Sequence, residues 1–179
     1  MNIYGESIVL RAISRNDTKL LLDLINDPDT ERMLGGGSFP VSCEEQERWI
    51  SNQSGREDIL RCIVANKDNE IVGLGTVILS NIDRKNGVAQ VHIKMSKDIG
   101  RGKGYGTDAL KTIVKYAFDE MRLNCVYADV LDYNIPSRKL FEKCGFNKDG
   151  VLRSRVFKNG KYIDMITYSI LRKDIRHEI

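Results

Sequence analysis

Arg101-Gly-Lys-Gly-Tyr-Gly106 lies between two stretches of opposite periodicity. Before it, Val88–Met95 alternates: Ala89, Val91, Ile93 and Met95 on one face, Gln90, His92 and Lys94 on the other, the period of a strand. After it, Leu110, Ile113, Val114, Ala117, Phe118 and Met121 recur at helical spacing and predict a buried stripe. Glycines at alternate positions carry no Cβ, so a ligand can come close to the main chain. The helix that follows offers unpaired N–H groups and the positive end of its dipole. Strand, glycine loop and helix mouth together predict a phosphate or pyrophosphate site.

Spacing decides between the familiar versions of such a loop. A P-loop needs Ser or Thr directly after its lysine, and Lys103 is followed by Gly104. A dinucleotide fingerprint needs Gly-x-Gly-x-x-Gly, whereas Gly102, Gly104 and Gly106 are spaced Gly-x-Gly-x-Gly. Asp129 in the next strand is a weak point for ribose binding, and the element order is wrong for a leading βαβ unit. What fits is Arg101-x-x-Gly104-x-Gly106, followed one helix and one strand later by Asn134-x-x-Ser137-x-x-Leu-Phe-Glu-Lys-Cys-Gly-Phe146. In this order the two motifs resemble the GNAT superfamily of acyl-CoA-dependent N-acetyltransferases. The resemblance covers essentially the whole chain and is most specific between Val88 and Phe146.

With 179 residues, the chain reads as a single domain, 1–179, with enough length for one substantial core. Its basic residues are interleaved with acids, so the net charge of +3 makes no case for nucleic acid. That small excess suits either a polyanionic cofactor or an ordinary solvated surface. Cys43, Cys62, Cys125 and Cys144 form no Cys-x-x-Cys pair, and no metal site is expected. Met1–Arg11 has no signal-peptide pattern, and no apolar run is long enough to span a bilayer; a reducing cytoplasm and no membrane partner are expected. The cysteines then read as small core residues.

Ser7–Ala12 reads as a first strand, with Ser14 capping a helix whose apolar face is Leu20, Leu21, Leu24 and Ile25 and which stops near Asp27-Pro28. Gly35–Pro40 predicts a mobile loop, and Ser42-x-x-Glu45 a capping box opening a helix with Trp49 and Ile50. Leu60–Ala65 and Ile71–Leu79 flank a turn at Asn66–Asn69 and predict a hairpin. Val126, Ala128 and Val130 make another strand; Pro136 opens a short helix ending at Gly145; Leu152–Phe157 and Tyr162–Leu171 close the chain as a hairpin. This order implies an α/β (α+β) mixed sheet with helices on both faces. The resemblance implies the same: a mostly antiparallel twisted sheet, splayed between its fourth and fifth predicted strands, Val88–Met95 and Cys125–Leu131.

The resemblance also implies a site. Acetyl-CoA would wedge between the splayed strands, with backbone groups of Ile93, Lys94 and Met95 meeting its pantetheine arm. Arg101, Gly102, Lys103, Gly104, Tyr105, Gly106 and Thr107 would wrap the pyrophosphate, and Asn134 would contact the arm, cap the next helix, or both. Relatives often carry a tyrosine that protonates the leaving thiolate; here that position is Phe141, which leaves Ser137 and Tyr133 as candidate acids. Many place a glutamate at the position of Gln90, so His92 is the candidate base, with a relayed water or Asp164 as alternatives. Glu31, Phe39 and Trp49 are candidate lining groups for the acceptor.

The C-terminal segment Gly150-x-x-Arg153…Lys158-Asn-Gly-Lys-Tyr-x-Asp164 resembles a subgroup of ribosomal-protein N-terminal, spermidine and nucleotide-sugar amine acetyltransferases. The expected acceptor is therefore a primary amine, on a protein N-terminus or a small molecule such as a polyamine. The substitutions at Phe141 and Gln90 leave open a non-catalytic acyl-CoA-binding module. Pairing of two copies through the last strands is common among such relatives.

Overall fold

The computed structural model describes residues 1–36, 39–53, 56–98 and 102–175. Among these residues eight strands form one sheet: β1 (Ile3–Tyr4), β2 (Ile8–Arg11), β3 (Leu60–Asn66), β4 (Asn69–Asp83), β5 (Val88–Met95), β6 (Cys125–Leu131), β7 (Asn147–Lys158) and β8 (Lys161–Leu171). Their order is β1-β2-β3-β4-β5-β6-β8-β7, and every pairing is antiparallel except β5 with β6. The helices are α1 (Thr18–Ile25), α2 (Pro28–Arg32), α3 (Cys43–Ser51), α4 (Tyr105–Asp119), α5 (Ile135–Lys143) and α6 (Arg172–Ile175), with a 3-10 turn at Arg15–Asp17.

Ile8, Val9 and Leu10 are all buried, as are Cys62 through Ala65. Strands that are apolar at consecutive positions must be covered on two faces. On one face α4 lays Leu110, Ile113, Val114, Ala117 and Phe118 against Ile8, Leu10, Val64, Val77, Leu79, Ala89, Val91, Val126 and Ala128. On the other, Leu20, Leu21 and Ile50 from α1 and α3 cover Val9, Ile63 and Ala65. The expected mixed sheet with helices on both faces is the one observed.

Local differences from the sequence reading have local causes. Asp27-Pro28 ends α1 but also starts α2: Pro28 occupies the first turn, where its missing N–H costs nothing, and the Asp27 carboxylate accepts from Thr30 N at 2.8 Å. Ser14 heads the 3-10 turn, and α1 starts only at Thr18, because Asp17 turns inward to pair with Arg11 at 2.7 Å. Strand β7 starts at Asn147, well before the expected Leu152, since an edge strand exposed over most of its length shows no alternation to read.

Asp108, in the first turn of α4, fastens that helix to the β1–β2 turn. Its carboxylate accepts from Glu6 N (3.1 Å), Ser7 N (2.7 Å) and Ile8 N (3.2 Å). Burial alone would push its pKa up; the converging N–H donors outweigh that and hold it below the ordinary aspartate value. With a depressed folded pKa, its contribution is complete above the usual carboxylate range and lost as pH falls through the folded value. Asp108→Ala is expected to cost about 2 kcal/mol in denaturant titration at neutral pH, with the gap to wild type closing in acid; equal midpoints at neutral pH would contradict this role.

Candidate functional site

Strands β5 and β6 pair through only three residue pairs, Val88↔Cys125, Ala89↔Val126 and Gln90↔Tyr127. Beyond them each strand stays bonded on its other side: β5 to β4 as far as Met95↔Gly75, and β6 to β8 as far as Leu131↔Met165. The facing edges of Val91–Met95 and Ala128–Leu131 therefore open into a fork whose main-chain groups lack a strand partner across the gap. Gly75 permits this opening, a role that the sequence pattern did not signal. A Cβ there would lie 2.2 Å from the Lys94 carbonyl oxygen, so only glycine lets the end of β5 lean this far onto β4.

At the open end of the fork stands the glycine loop. Gly102 and Gly104 have φ of 78° and 81°, and nothing lies within 4 Å of where their Cβ atoms would be. Gly104 caps α4, and the first bond within the helix runs from Asp108 N to Gly104 O at 3.0 Å. The N–H groups of Tyr105, Gly106 and Thr107 thus have no acceptor within the helix and point outward at its positive end. Lys103 is exposed beside them. Arg101, the remaining expected loop residue, lies outside the described residues. From Lys103, Gly104 and Thr107 a groove of about 640 Å³ runs along the outer side of α4 past Lys111 and Lys143.

The other candidates cluster at the mouth of the fork. Ile93 and Met95 pack toward the α4 core, while Lys94 lies on the opposite face, its pKa lowered by desolvation. His92 shares that face, and its Nε2 is 2.8 Å from Ser80 Oγ. Desolvation by the surrounding protein, then the charge of Lys94, lower the His92 pKa, and Asp129 opposes them. Across the fork, Asn134 caps α5 through Ser137 N at 3.1 Å and donates its amide to Met33 O at 2.8 Å. Tyr133 Oη donates to Arg32 O at 2.5 Å, so its hydroxyl pins α2. Ser137 is half-buried on the first turn of α5.

Several expected contributors are engaged elsewhere. Phe141 is buried, edge-on to Phe146 and stacked on Tyr168, a packing residue with no proton to give. The Asp164 carboxylate accepts from Ser154 N at 2.7 Å, inside the irregular stretch of β7. Glu31 is paired with Lys158, and Trp49 lies under Arg61 at 5.3 Å. Phe39 is almost fully exposed. Among the described residues no group of His, Cys, Asp and Glu is placed to hold a metal ion. No helix among them is long and apolar enough to cross a membrane.

Comparison with known proteins agrees with this geometry. Residues 7–147 match the family model of the acetyltransferase (GNAT) domain. The chain is 32% identical over 170 residues to the SPbeta prophage-derived uncharacterized N-acetyltransferase YokL of Bacillus subtilis, covering 95% of this chain and 93% of that one. It is 33% identical over 173 residues to the protein named "Putative ribosomal N-acetyltransferase YdaF" of the same organism, covering 95% and 94%. Among solved structures, a spermidine N-acetyltransferase from Vibrio cholerae in complex with CoA and spermine superposes with a TM-score of 0.86 at 24% identity, over 95% of this chain and 98% of that one, a likeness of fold.

Gly104→Val tests the helix mouth. A β-branched residue cannot hold φ near 81°, so the loop must relax and turn its N–H groups away. Losing one charge-assisted bond is expected to weaken CoA binding roughly tenfold or more in calorimetry, with the circular dichroism of the fold retained. Unchanged affinity would refute the assignment.

Proposed function

Because the chain belongs to the GNAT acetyltransferase family, and is an N-acetyltransferase drawing on acetyl-CoA, we propose that it works by direct attack of a primary amine on a thioester seated in the β5–β6 fork. The single observation that carries this reading is the coincidence of an unpaired fork with an open glycine helix mouth at its end. In this reading, main-chain groups of Ile93, Lys94 and Met95 hold the pantetheine arm. Gly102 through Thr107, with the side chains of Arg101 and Lys103, hold the pyrophosphate. Asn134 serves chiefly as the cap of α5 and the tie to Met33, with its remaining hydrogen-bonding capacity facing the arm.

The chemistry needs alignment of the two reactants and proton transfer at nitrogen and sulfur. The amine nitrogen forms a bond to the thioester carbon as the C–S bond breaks; one proton leaves nitrogen and one reaches sulfur. His92 is the base in this reading, supported by its place on the fork wall and by a lowered pKa that keeps the ring neutral. Ser137 is the acid, supported by a hydroxyl that makes no protein hydrogen bond among the described residues. Tyr133 is the weaker candidate, its hydroxyl being held by Arg32.

The acceptor we propose is a peptide N-terminus, supported by the 33% identity to the YdaF protein over nearly the full length of both. A polyamine is the second reading. It is supported by the Vibrio neighbour and by a groove of about 410 Å³ lined by Asp23, Asp27 and Asp98, where Lys19 and Lys97 already neutralise part of the charge. A cytoplasmic setting belongs to the same proposal, supported by four free cysteines. Pairing of two copies is supported by the exposed β7 edge and the apolar Val151, Phe157 and Tyr162 of its hairpin.

Free-thiol release from acetyl-CoA, measured against spermidine and a set of free-N-terminus peptides, is expected to show turnover with the peptides above spermidine. Turnover with spermidine alone would reverse the order of the two readings, and CoA binding without release would end the transferase mechanism. His92→Ala is expected to lower kcat by ~10²–10⁴-fold and to abolish the acidic limb of the kcat/KM profile, which should fall below the ordinary histidine value. An unchanged profile would remove His92 from the mechanism.

A further inference from the structure

The crotch of the fork carries a side-chain network that the sequence motifs do not mark. Asn81 Nδ2 donates to Gln90 Oε1 at 3.2 Å, and Gln90 Nε2 donates to Asp129 Oδ2 at 3.2 Å. Thr167 Oγ1 donates to Asp129 Oδ1 at 2.7 Å. The chain of bonds crosses four strands, β4, β5, β6 and β8, just where β5 and β6 part. Asn81 sits at a register shift of β4 with φ of 51°, a local irregularity that turns its amide toward Gln90.

Register places the terminus of this network. Gln90 and Tyr127 are the last paired residues, and side chains two positions on share their face. Were the ladder to continue, His92 would lie beside Asp129. The fork separates them instead, with the imidazole on one wall and the carboxylate on the other, close enough for their charges to interact.

Asp129 differs from the other half-buried acids of the chain. Asp17 is answered by Arg11, Asp27 by Lys97 and Glu31 by Lys158. Asp108 is engaged by three backbone N–H groups. Among the described residues no lysine or arginine forms an ion pair with Asp129, which accepts only from two neutral side chains. Each of its oxygens retains capacity for a further donor. The surrounding bonds hold the carboxylate in one rotamer, which is how a group is preorganised to receive a charged ligand.

We propose that Asp129 anchors the ammonium group of the incoming acceptor, holding it in the fork opposite His92. This rests on the reading of the fork as the site of amine acetylation and assigns a residue to its acceptor side. Gln90 and Thr167 act as positioning residues for the carboxylate. The anchored ammonium loses one proton to His92 across the gap before its nitrogen attacks; as the C–S bond breaks, the second proton leaves the nitrogen and reaches the thiolate sulfur by way of Ser137, so that amide, free thiol and imidazolium result. The ligand class is a primary alkylammonium, a group that peptide N-termini and polyamines share.

The test is steady-state kinetics of the full chain with acetyl-CoA and with spermidine and an N-terminal serine hexapeptide as separate acceptors. Asp129→Asn removes the charge and keeps the shape. It is expected to raise KM for whichever amine turns over by about tenfold or more, with KM for acetyl-CoA unchanged. Asp129→Glu is expected to recover part of the loss, and Thr167→Val, which keeps the charge but frees its rotamer, to fall between. Asp129→Asn with wild-type KM for the amine overturns the anchor while leaving the acetyltransferase mechanism standing. A variant that raises both KM values and lowers the melting temperature assigns Asp129 to structure and overturns the anchor as well. Wild-type protein that binds CoA in calorimetry yet releases no thiol with either amine overturns both proposals together.

Discussion

The structure depends on a ladder that stops. Three residue pairs join β5 to β6, and then the two strands part while each remains bonded to its outer neighbour. Unpaired main-chain groups inside a sheet are costly unless something satisfies them. A pantetheine arm, rich in amides, is a ligand that can take the place of the missing strand partner. The opening is maintained by packing on both sides: Gly75 lets β5 lean toward β4, and full pairing with β8 keeps β6 straight.

Everything around the fork serves to hold its two walls and its mouth in register. Asp108 fixes the start of α4 to the β1–β2 turn, so the helix mouth cannot drift from the sheet. Beside the fork, α2 is held at its C-terminal end by Tyr133, Asn134 and Lys158, which come from the β6–α5 corner and the β7–β8 hairpin. Lys97, just after β5, bonds Asp27 and Asp29 at 2.8 and 2.7 Å and so ties the approach to the glycine loop to the start of α2. The fork and the segments around it are therefore built from interlocked pieces, which favours a preformed site over one assembled on binding.

Much of this was legible in the sequence. The alternation of Val88–Met95, the helical stripe from Leu110 to Phe118 and the glycines between them predicted strand, loop and helix where they occur, because burial on one face imposes a period. The capping box at Ser42-x-x-Glu45 and the αL glycine at 145 were equally readable, since each answers a local backbone demand. What was hidden depends on partners far along the chain. Asp164 and Glu31 read as free acids until Ser154 and Lys158 are brought to them. In the sequence Asp129 offered only a weak point for ribose binding; the register of β5 against β6 brings it level with His92, just past the last pair. Gly75 looked like any strand glycine, yet the close approach of β5 requires it.

The account turns on the claim that the β5 edge and the helix mouth are open to CoA. Backbone hydrogen exchange of the full chain, followed with and without CoA, tests it most directly. Added CoA should slow exchange in segments 91–95 and 102–107 together, with little change in β2 and β3. Protection confined to other regions, or fork amides already as slow without CoA as those of β3, would contradict it.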